Sequence, residues 1–367
     1  MGYCKKYDGY TISSCENDDV DDLCLFFDTH WRKNHVFYTD REFFDWQYYN
    51  RRRSNYNFLI ARDCTSGDIL GQIGFIPTYL FDYDIADCDK FIWFATWMIR
   101  QDMSRRNGLG LRLLTSVPIY ENTESVGTNG YYDSALPLYR MMKFETGIHD
   151  HFYILNENAR VFKIACAPQG FSQKGGGSGA KGKVTVIDQN SFMDVYSEIK
   201  QKNQSEFIKK TKTYFINRYF NHPVYKYEVM LISTGSAPKA VFFFRTSFHD
   251  DACVIRIIDG IGGFHEIENI FDDIQALLSE RGAEYIDLYC VGIGRDVLEN
   301  AGFTSRLTGD EIIIPNYFEP FERINRNINY AYLDRGCLNR VIFKGDGDQD
   351  RPNIHYPRGT FQRLSGL

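Results

Sequence analysis

The 367-residue chain predicts an α+β protein built from two tandem units, each a mixed, mostly antiparallel twisted sheet flanked by helices. Three observations predict it. Segments of helical period alternate with short apolar strand-like runs along the chain. Their order repeats in both halves: a helical start, antiparallel-type strands, a long helix, a strand, then a short helix ending in an aromatic, as in ALPLYRMMKF (135–144) and GRDVLENAGF (294–303). Between the halves lies QKGGGSGAKGK (173–183), with the composition of a flexible linker or mobile loop. The pattern is that of one duplicated unit, not of a short-period solenoid.

Taken in order, DVDDLCLFFDTHW (19–31) carries apolar residues at 20, 23, 26 and 27, a helical stripe. DREFFDWQYYN (40–50) predicts a second short helix with Asp40 as N-cap. NFLIARD and ILGQIGFIPTYLFD predict two strands joined by the turn CTSGD. KFIWFATWMI (90–99) predicts a long apolar strand with Trp93 and Trp97 on one face. MSRRNGLGLRLL (103–114) runs from a loop into a helix that Pro118 is expected to end. SVGTNG predicts another strand, and SALPLYRMMKFE (134–145) a helix capped by Ser134 that turns back toward a strand near Phe152. In the second unit a helix is expected over 191–220. Strands YKYEVMLIS, KAVFFFRTSF and CVIRIIDGIG follow, then an amphipathic helix closed by Gly282, the strand AEYIDLYC and the helix RDVLENAGF. The expected domains are 1–160 and 191–335, with a linker at 161–190 and a polar C-terminal tail at 336–367.

Composition narrows the function. The net charge is −6, from 42 basic and 48 acidic residues, which disfavours a general nucleic-acid binder. There is no run of 18 apolar residues to span a membrane and no signal-peptide pattern in MGYCKKYDGYTISSCENDD, so a cytoplasmic location is expected. Nine cysteines, an odd number without C-x-x-C, indicate free thiols and neither a disulfide framework nor a zinc site. In KGDGDQDRPN (344–353), Asp346, Asp348 and Asp350 alternate as at the start of an EF-hand loop. Arg351 replaces the required glycine and Pro357 the bidentate glutamate, so no metal is expected. Aromatics at 16% predict large cores and aromatic-lined pockets.

The most informative stretch is R-x-x-G-x-G at Arg105, Gly108 and Gly110. Glycines let a ligand approach the backbone, and a helix start offers free N–H groups and a positive dipole end. With Arg105 and Arg106 alongside, a pyrophosphate is the ligand that fits. A Walker loop would need Gly-Lys-Ser/Thr where Leu111 and Arg112 stand, and a dinucleotide fingerprint is absent. Tyr139 follows Gly110 by 29 residues, with Ala135 before it and Phe144 after. Strand, loop, helix and A-x-x-x-Y together resemble the acetyl-CoA site of the GNAT N-acetyltransferase superfamily. Lys143 replaces the glycine of that second motif, and Tyr132 stands where many members carry asparagine. The resemblance covers about residues 10–160. In the second half it is topological, because DGIGGFHEIENIF lacks the arginine and the spacing, so that unit resembles a GNAT-like domain that has lost its coenzyme site.

What the resemblance implies is acetyl-CoA as acyl donor. Arg105, Arg106, Asn107, Gly108, Leu109 and Gly110 would hold its pyrophosphate, and Trp97, Met98 and Ile99 would pair with the pantetheine as an added strand. Tyr139 would protonate the departing thiolate. HWRKNHVF (30–37) and FFDWQYYN (43–50) fall where the family walls its acceptor pocket. This implies Trp31, Arg32, Trp46 and Tyr49 as substrate contacts, and His35, then His30, as the base that deprotonates the attacking amine. Tandem chains of this kind resemble acyltransferases of bacterial surface-polysaccharide and lipopolysaccharide synthesis. The implied acceptor is a nucleotide-linked amino sugar, attacked directly in a ternary complex by a monomer or homodimer. The alternatives are a FemABX-like aminoacyl transferase, disfavoured by the lack of a basic stripe, and a non-catalytic tandem scaffold.

Overall fold

Most of the predicted elements form, but their pairing crosses the expected domain boundary. The computed structural model describes residues 2–103, 108–168, 173, 175–177, 180–203, 207–306, 311–333, 339–357 and 359–361. The first half opens with the hairpin of β1 (Cys4–Tyr7) and β2 (Tyr10–Cys15). Helix α1 (Val20–Phe26) follows and runs into a π-type turn ending at Trp31; its buried side includes Val20, Leu23, Phe26 and Phe27, the predicted stripe. Next come α2 (Val36–Thr39) and α3 (Arg41–Tyr48), the latter capped by the Asp40 carboxylate, which accepts from Phe43 N at 3.0 Å. Strands β3 (Tyr49–Asn50), β4 (Asn55–Asp63), β5 (Ile69–Pro77) and β6 (Ile92–Ile99) pair antiparallel. Helix α4 (Leu109–Glu121), β7 (Val126–Asn129), α5 (Leu136–Met141) and β8 (Glu145–Ile148) complete this half.

The second half comprises β9 (Asp150–Leu155), β10 (Lys183–Ile187), α6 (Gln189–Lys202), α7 (Lys212–Phe215), β11 (Glu228–Thr234), β12 (Ala237–His249) and β13 (Ala252–Gly262). It continues with α8 (Phe271–Arg281), β14 (Ala283–Val291), α9 (Arg295–Asn300), β15 (Thr304–Ser305), β16 (Tyr317–Phe318), β17 (Phe321–Glu322), β18 (Asn329–Leu333) and β19 (Ile342–Phe343). Gly282 closes α8 with φ +62°, as predicted.

Three local expectations give way. Pro118 does not end α4: it sits in the last turn, where it costs one hydrogen bond, and the helix stops at Asn122 (φ +50°) with Thr123 N closing on Pro118 O at 3.1 Å. Ser134 does not cap α5; it lies in a 3-10 turn over Asp133–Ala135. The helix expected over 191–220 is two, because Asn203 is extended and Thr211 Oγ1 starts α7 afresh by accepting from Tyr214 N at 3.0 Å.

The first sheet runs β1-β2-β4-β5-β6-β7-β18-β8, with β3 against β4; the second runs β10-β11-β12-β13-β14-β9-β15, with β19 against β14. Each contains one parallel pair, β6 with β7 and β13 with β14. Beside each parallel pair lies a strand from across the expected boundary at residue 160: β18 inserts between β7 and β8, and β9, which precedes that boundary, inserts between β14 and β15. The halves therefore exchange a strand reciprocally. Only His149 separates β8 from β9, too little for a hairpin turn, so the chain runs straight from one sheet into the other. A boundary at residue 160 thus cuts the second sheet, and β10 and β18 lie outside the roles of linker and second domain expected for them.

The aromatic content is spent between the halves. One core cluster joins Phe27, Phe37, Phe43, Phe58 and Trp93 of the first half to Phe192, Phe207, Phe215, Tyr219 and Phe243 of the second. The outer faces carry separate clusters, Leu109, Leu113 and Val117 of α4 against the first sheet, and Ile274, Leu277 and Leu278 of α8 against the second.

Candidate functional site

The site begins with a defect in a strand. Ile73 faces Trp97 and Phe75 faces Phe94, so Ala95 and Thr96 both oppose Gly74 in a β-bulge. Only glycine fits there, since a Cβ would stand 2.5 Å from Phe58 Cε1 and 2.6 Å from Thr96 Oγ1. The extra residue inverts the side-chain alternation. Trp93 enters the core between the sheets while Trp97 packs toward α4, so the two do not share the face that simple alternation predicts. Parallel pairing of β6 with β7 is confined to Ile92–Val126, Trp93–Gly127 and Phe94–Thr128. Beyond it the strands part around a cleft of about 550 Å³.

Trp97, Met98 and Ile99 line this cleft and, among the described residues, pair only with β5, which leaves their other backbone edge facing it. The two motif glycines have different reasons. Gly108 is left-handed (φ +74°) with nothing within 4 Å of a Cβ, so it is there for backbone conformation. Gly110 is there for space, because a Cβ would lie 2.8 Å from Ile99 Cδ1 and 3.0 Å from Trp97 Cζ2. No side chain caps α4, and Leu109 is buried beneath its first turn. Arg105, Arg106 and Asn107 lie outside the described residues.

Tyr139, on α5, lines the cleft while remaining 2% exposed. Its ring packs 4.8 Å from Tyr131 and 5.3 Å from Phe144. Burial raises its phenol pKa well above the ordinary value, a hydrogen bond with Thr128 opposes this, and Tyr131 adds to it. The hydroxyl is therefore fully protonated at neutral pH.

On the opposite wall Trp31, Arg32 and His35 line the cleft. His35 is buried, stacked 5.2 Å from Phe27, and its Nδ1 accepts from Phe37 N at 3.2 Å as the cap of α2. Burial first, then the charges of Arg351 and Arg32, push its pKa down to about 3. The ring is neutral with its proton on Nε2, which makes it a donor and unsuited to the base role. His30, Trp46 and Tyr49 are not among the lining residues. His30 is exposed, 4.9 Å from Phe26. Trp46 is packed 4.5 Å from His222 and 5.3 Å from Phe81 at the junction of the halves. Tyr49 sits edge-on to Tyr56 in the β3–β4 hairpin.

Residues 128–132, 134 and 135, from the end of β7 onward, add to the wall, and a further part comes from the far end of the chain: Tyr317, Glu319, Glu322, Arg326, Asp348 and Arg351. The expected polar tail is in fact a buried hub. Asp350 accepts from Arg245 through both oxygens and from Tyr227 Oη at 2.7 Å. Asp346 O accepts from Asn129 Nδ2 at 2.6 Å, which ties the segment to β7. The alternating aspartates were the visible signal; their partners are far away in sequence.

In the second unit β19 enters the equivalent opening and leaves a smaller pocket of about 330 Å³, lined by Gly262, Phe264, Val291, Gly294 and Val297 among others. The β13–β14 pairing stops at Ile257–Leu288, and β19 enters beside Cys290 and Val291, with Gly345 N donating to Ile258 O at 2.8 Å. Among the described residues no cluster of three or more His, Cys, Asp or Glu could hold a metal ion, and no helix is long and apolar enough to cross a membrane.

No protein-family model matches this chain, and no curated protein does. Among solved structures it is similar to a Pyrococcus horikoshii chain provisionally described as an acetyltransferase, at 11% identity over 95% of this chain and 98% of that one, with a TM-score of 0.51. It also matches a GCN5-related N-acetyltransferase from Anabaena variabilis (11% identity, 88% and 72% covered, TM-score 0.48). A third match is Saccharomyces cerevisiae N-myristoyltransferase with bound myristoyl-CoA and inhibitors (8% identity, 95% and 87% covered, TM-score 0.46). At these identities the likeness concerns the fold: two tandem GNAT-like units.

Proposed function

We propose that this chain is an acyl-CoA-dependent N-acyltransferase, with acetyl-CoA as donor and the amino group of a nucleotide-linked amino sugar of bacterial surface-polysaccharide synthesis as acceptor. The observation that carries the reading is the parting of β6 from β7 beyond Phe94 and Thr128, which opens a cleft on the strand that leads into the glycine loop and α4. The free edge of Trp97, Met98 and Ile99 binds the pantetheine arm by strand addition. The amides from residue 106 to Gly110 and the α4 dipole hold the pyrophosphate. Exposed Trp31, Tyr132 and Tyr317 offer faces to the acceptor's rings, and Arg32, Arg326 and Arg351 offer charge to its phosphates.

In this reading the amine loses a proton, attacks the thioester carbonyl, and the carbon–sulfur bond breaks with Tyr139 Oη delivering a proton to sulfur. The base is a carboxylate of the cleft. Glu319 is occupied by Tyr225, Tyr356 and Asn353 N. That leaves Asp348, beside Arg351 at 2.9 Å, and the more open Glu322, beside Arg326 at 2.6 Å. Calorimetry with acetyl-CoA is the test. Saturable binding that Arg105→Ala weakens is expected; a wild-type protein that does not bind acetyl-CoA overturns the reading.

A further inference from the structure

The cleft has a second room. Behind Tyr317 and Arg351 lies a polar chamber of about 40 Å³, and Tyr317, Glu319, Gln349, Arg351 and Asn353 line both spaces. Its rear is built from Arg245 on β12, Arg256 on β13, Asn316 and Lys344. The arginines there pair with carboxylates, and Glu319 accepts from Tyr225, Tyr356 and Asn353 N without an ion pair. Arg245 closes on Asp350 at 2.8 and 3.0 Å, Arg256 on Asp287 at 2.9 and 3.1 Å, and Arg351 on Asp348 at 2.9 Å. Lys344 is buried; its Nζ reaches the main-chain oxygen of Asn316 at 3.5 Å and lies 6.0 Å from the centre of the Tyr289 ring, and among the described residues it forms no ion pair. Beside it the Asn316 side chain is also buried, 5% exposed, and neither its Nδ2 nor its Oδ1 has a hydrogen-bond partner among the described residues.

A buried cation without a counter-ion and a buried amide without a partner each carry a desolvation cost that folding alone does not repay. An anion pairs with the ammonium and accepts from Asn316 Nδ2; it leaves the acceptor Oδ1 as it is. A cavity of this size holds about three water-sized groups, which matches a planar carboxylate better than a five-atom phosphate. We propose that the chamber is a carboxylate subsite, in which an acid group of the acceptor passes Tyr317 and Arg351 and is held by Lys344 Nζ and Asn316 Nδ2. The inference rests on the reading of the cleft as an acceptor site, and it narrows the acceptor to an amino sugar that bears a carboxyl group. Burial, then Arg256, with Arg245 adding, pushes the Lys344 amine down to about 7, while Asp350 and Asp287 oppose them. A bound carboxylate restores its charge, so binding above pH 7 takes up a proton.

Calorimetry with 4-bromobenzoate tests it, the ring lying in the wide cleft and the acid group in the chamber. The benzoate is expected to bind wild type at least about tenfold more tightly than 4-bromobenzamide, and more tightly than 4-bromophenyl phosphate. Lys344→Met and Asn316→Ala, each shown folded by its thermal melt, should erase the preference for the acid. Soaked crystals should place the carboxylate between Lys344 and Asn316, with the bromine marking the opposite end. Equal binding of acid and amide by wild type, tighter binding of the phosphate, or a preference that survives both substitutions overturns the subsite. Acetyl-CoA is titrated into the same samples. Acid preference without acetyl-CoA binding leaves the subsite standing and removes the acyl-transfer reading; acetyl-CoA binding without acid preference does the reverse.

Discussion

A Cβ on Gly110 would stand 2.8 Å from Ile99 Cδ1, so the first turn of α4 rests directly on the strand whose edge faces the cleft. Gly108, two residues earlier, has open space around it and needs only its positive φ. The two positions should respond differently to substitution. Gly108→Ala should cost about 1 kcal/mol of stability and Gly108→Asn less. Gly110→Val should displace Ile99 and Trp97 and weaken acetyl-CoA binding beyond any loss in stability. Melting temperatures and calorimetry on the three variants separate the two reasons.

On the proposed role of Tyr139 as the acid that protonates the departing thiolate, Tyr139→Phe should lower kcat by about a hundredfold with little change in KM. Burial holds the phenol protonated well past neutrality, so wild-type kcat should show no alkaline decline assignable to Tyr139 below about pH 10. Equal kcat in the two proteins would return Tyr139 to a packing role.

Asp350 should be a stability residue. Burial alone would raise its pKa, but the Arg245 charge and hydrogen bonds, helped by Lys344 and Tyr227, hold it far below the usual carboxylate range. A depressed folded-state pKa stabilises fully above the unfolded value of about 4 and is lost as pH falls below it. Asp350→Ala should therefore cost about 3 kcal/mol or more at pH 7, since it strands Arg245, and the gap to wild type should narrow in acid. Urea titrations at several pH values measure this.

Lys344 carries the opposite sign. Its amine, pushed down to about 7 by burial and Arg256, binds fewer protons folded than unfolded between about pH 7 and 10, so wild type should gain stability as pH rises through that window. Lys344→Met should flatten the rise, as read from denaturant midpoints across the window.

The strand exchange predicts that neither half folds alone. A fragment of residues 1–160 lacks β18, which separates β7 from β8, and should show no cooperative melt. The whole chain should unfold in one transition, and co-expression with 161–367 should restore it, as followed by circular dichroism.

Much of the local architecture was legible. The stripe at 20, 23, 26 and 27, the Asp40 cap and the Gly282 stop depend on side chains a few residues apart, and the structure has them as read. Trp97 changed faces because a bulge adds one residue to a period of two, and a bulge needs the partner strand before it exists. Of the residues expected around the acceptor, Trp31, Arg32 and His35 reach the cleft and His30, Trp46 and Tyr49 do not; Trp46 packs against His222 and Phe81, 176 and 35 residues later in the chain. Nine of the 25 lining residues, including Tyr317, Asp348 and Arg351, come from a region that read as the end of the second domain and a polar tail.

By itself the sequence determined the elements, their duplicated order and a glycine loop at the start of a helix, because each of these rests on chemistry within a turn or two of chain. The tertiary structure decided which strands change sheets, which distant segments wall the cleft and which buried charges find partners. Those outcomes depend on groups more than a hundred residues apart, as with Asn129 and Asp346 or Arg245 and Asp350, and local propensity has no hold on contacts at that range.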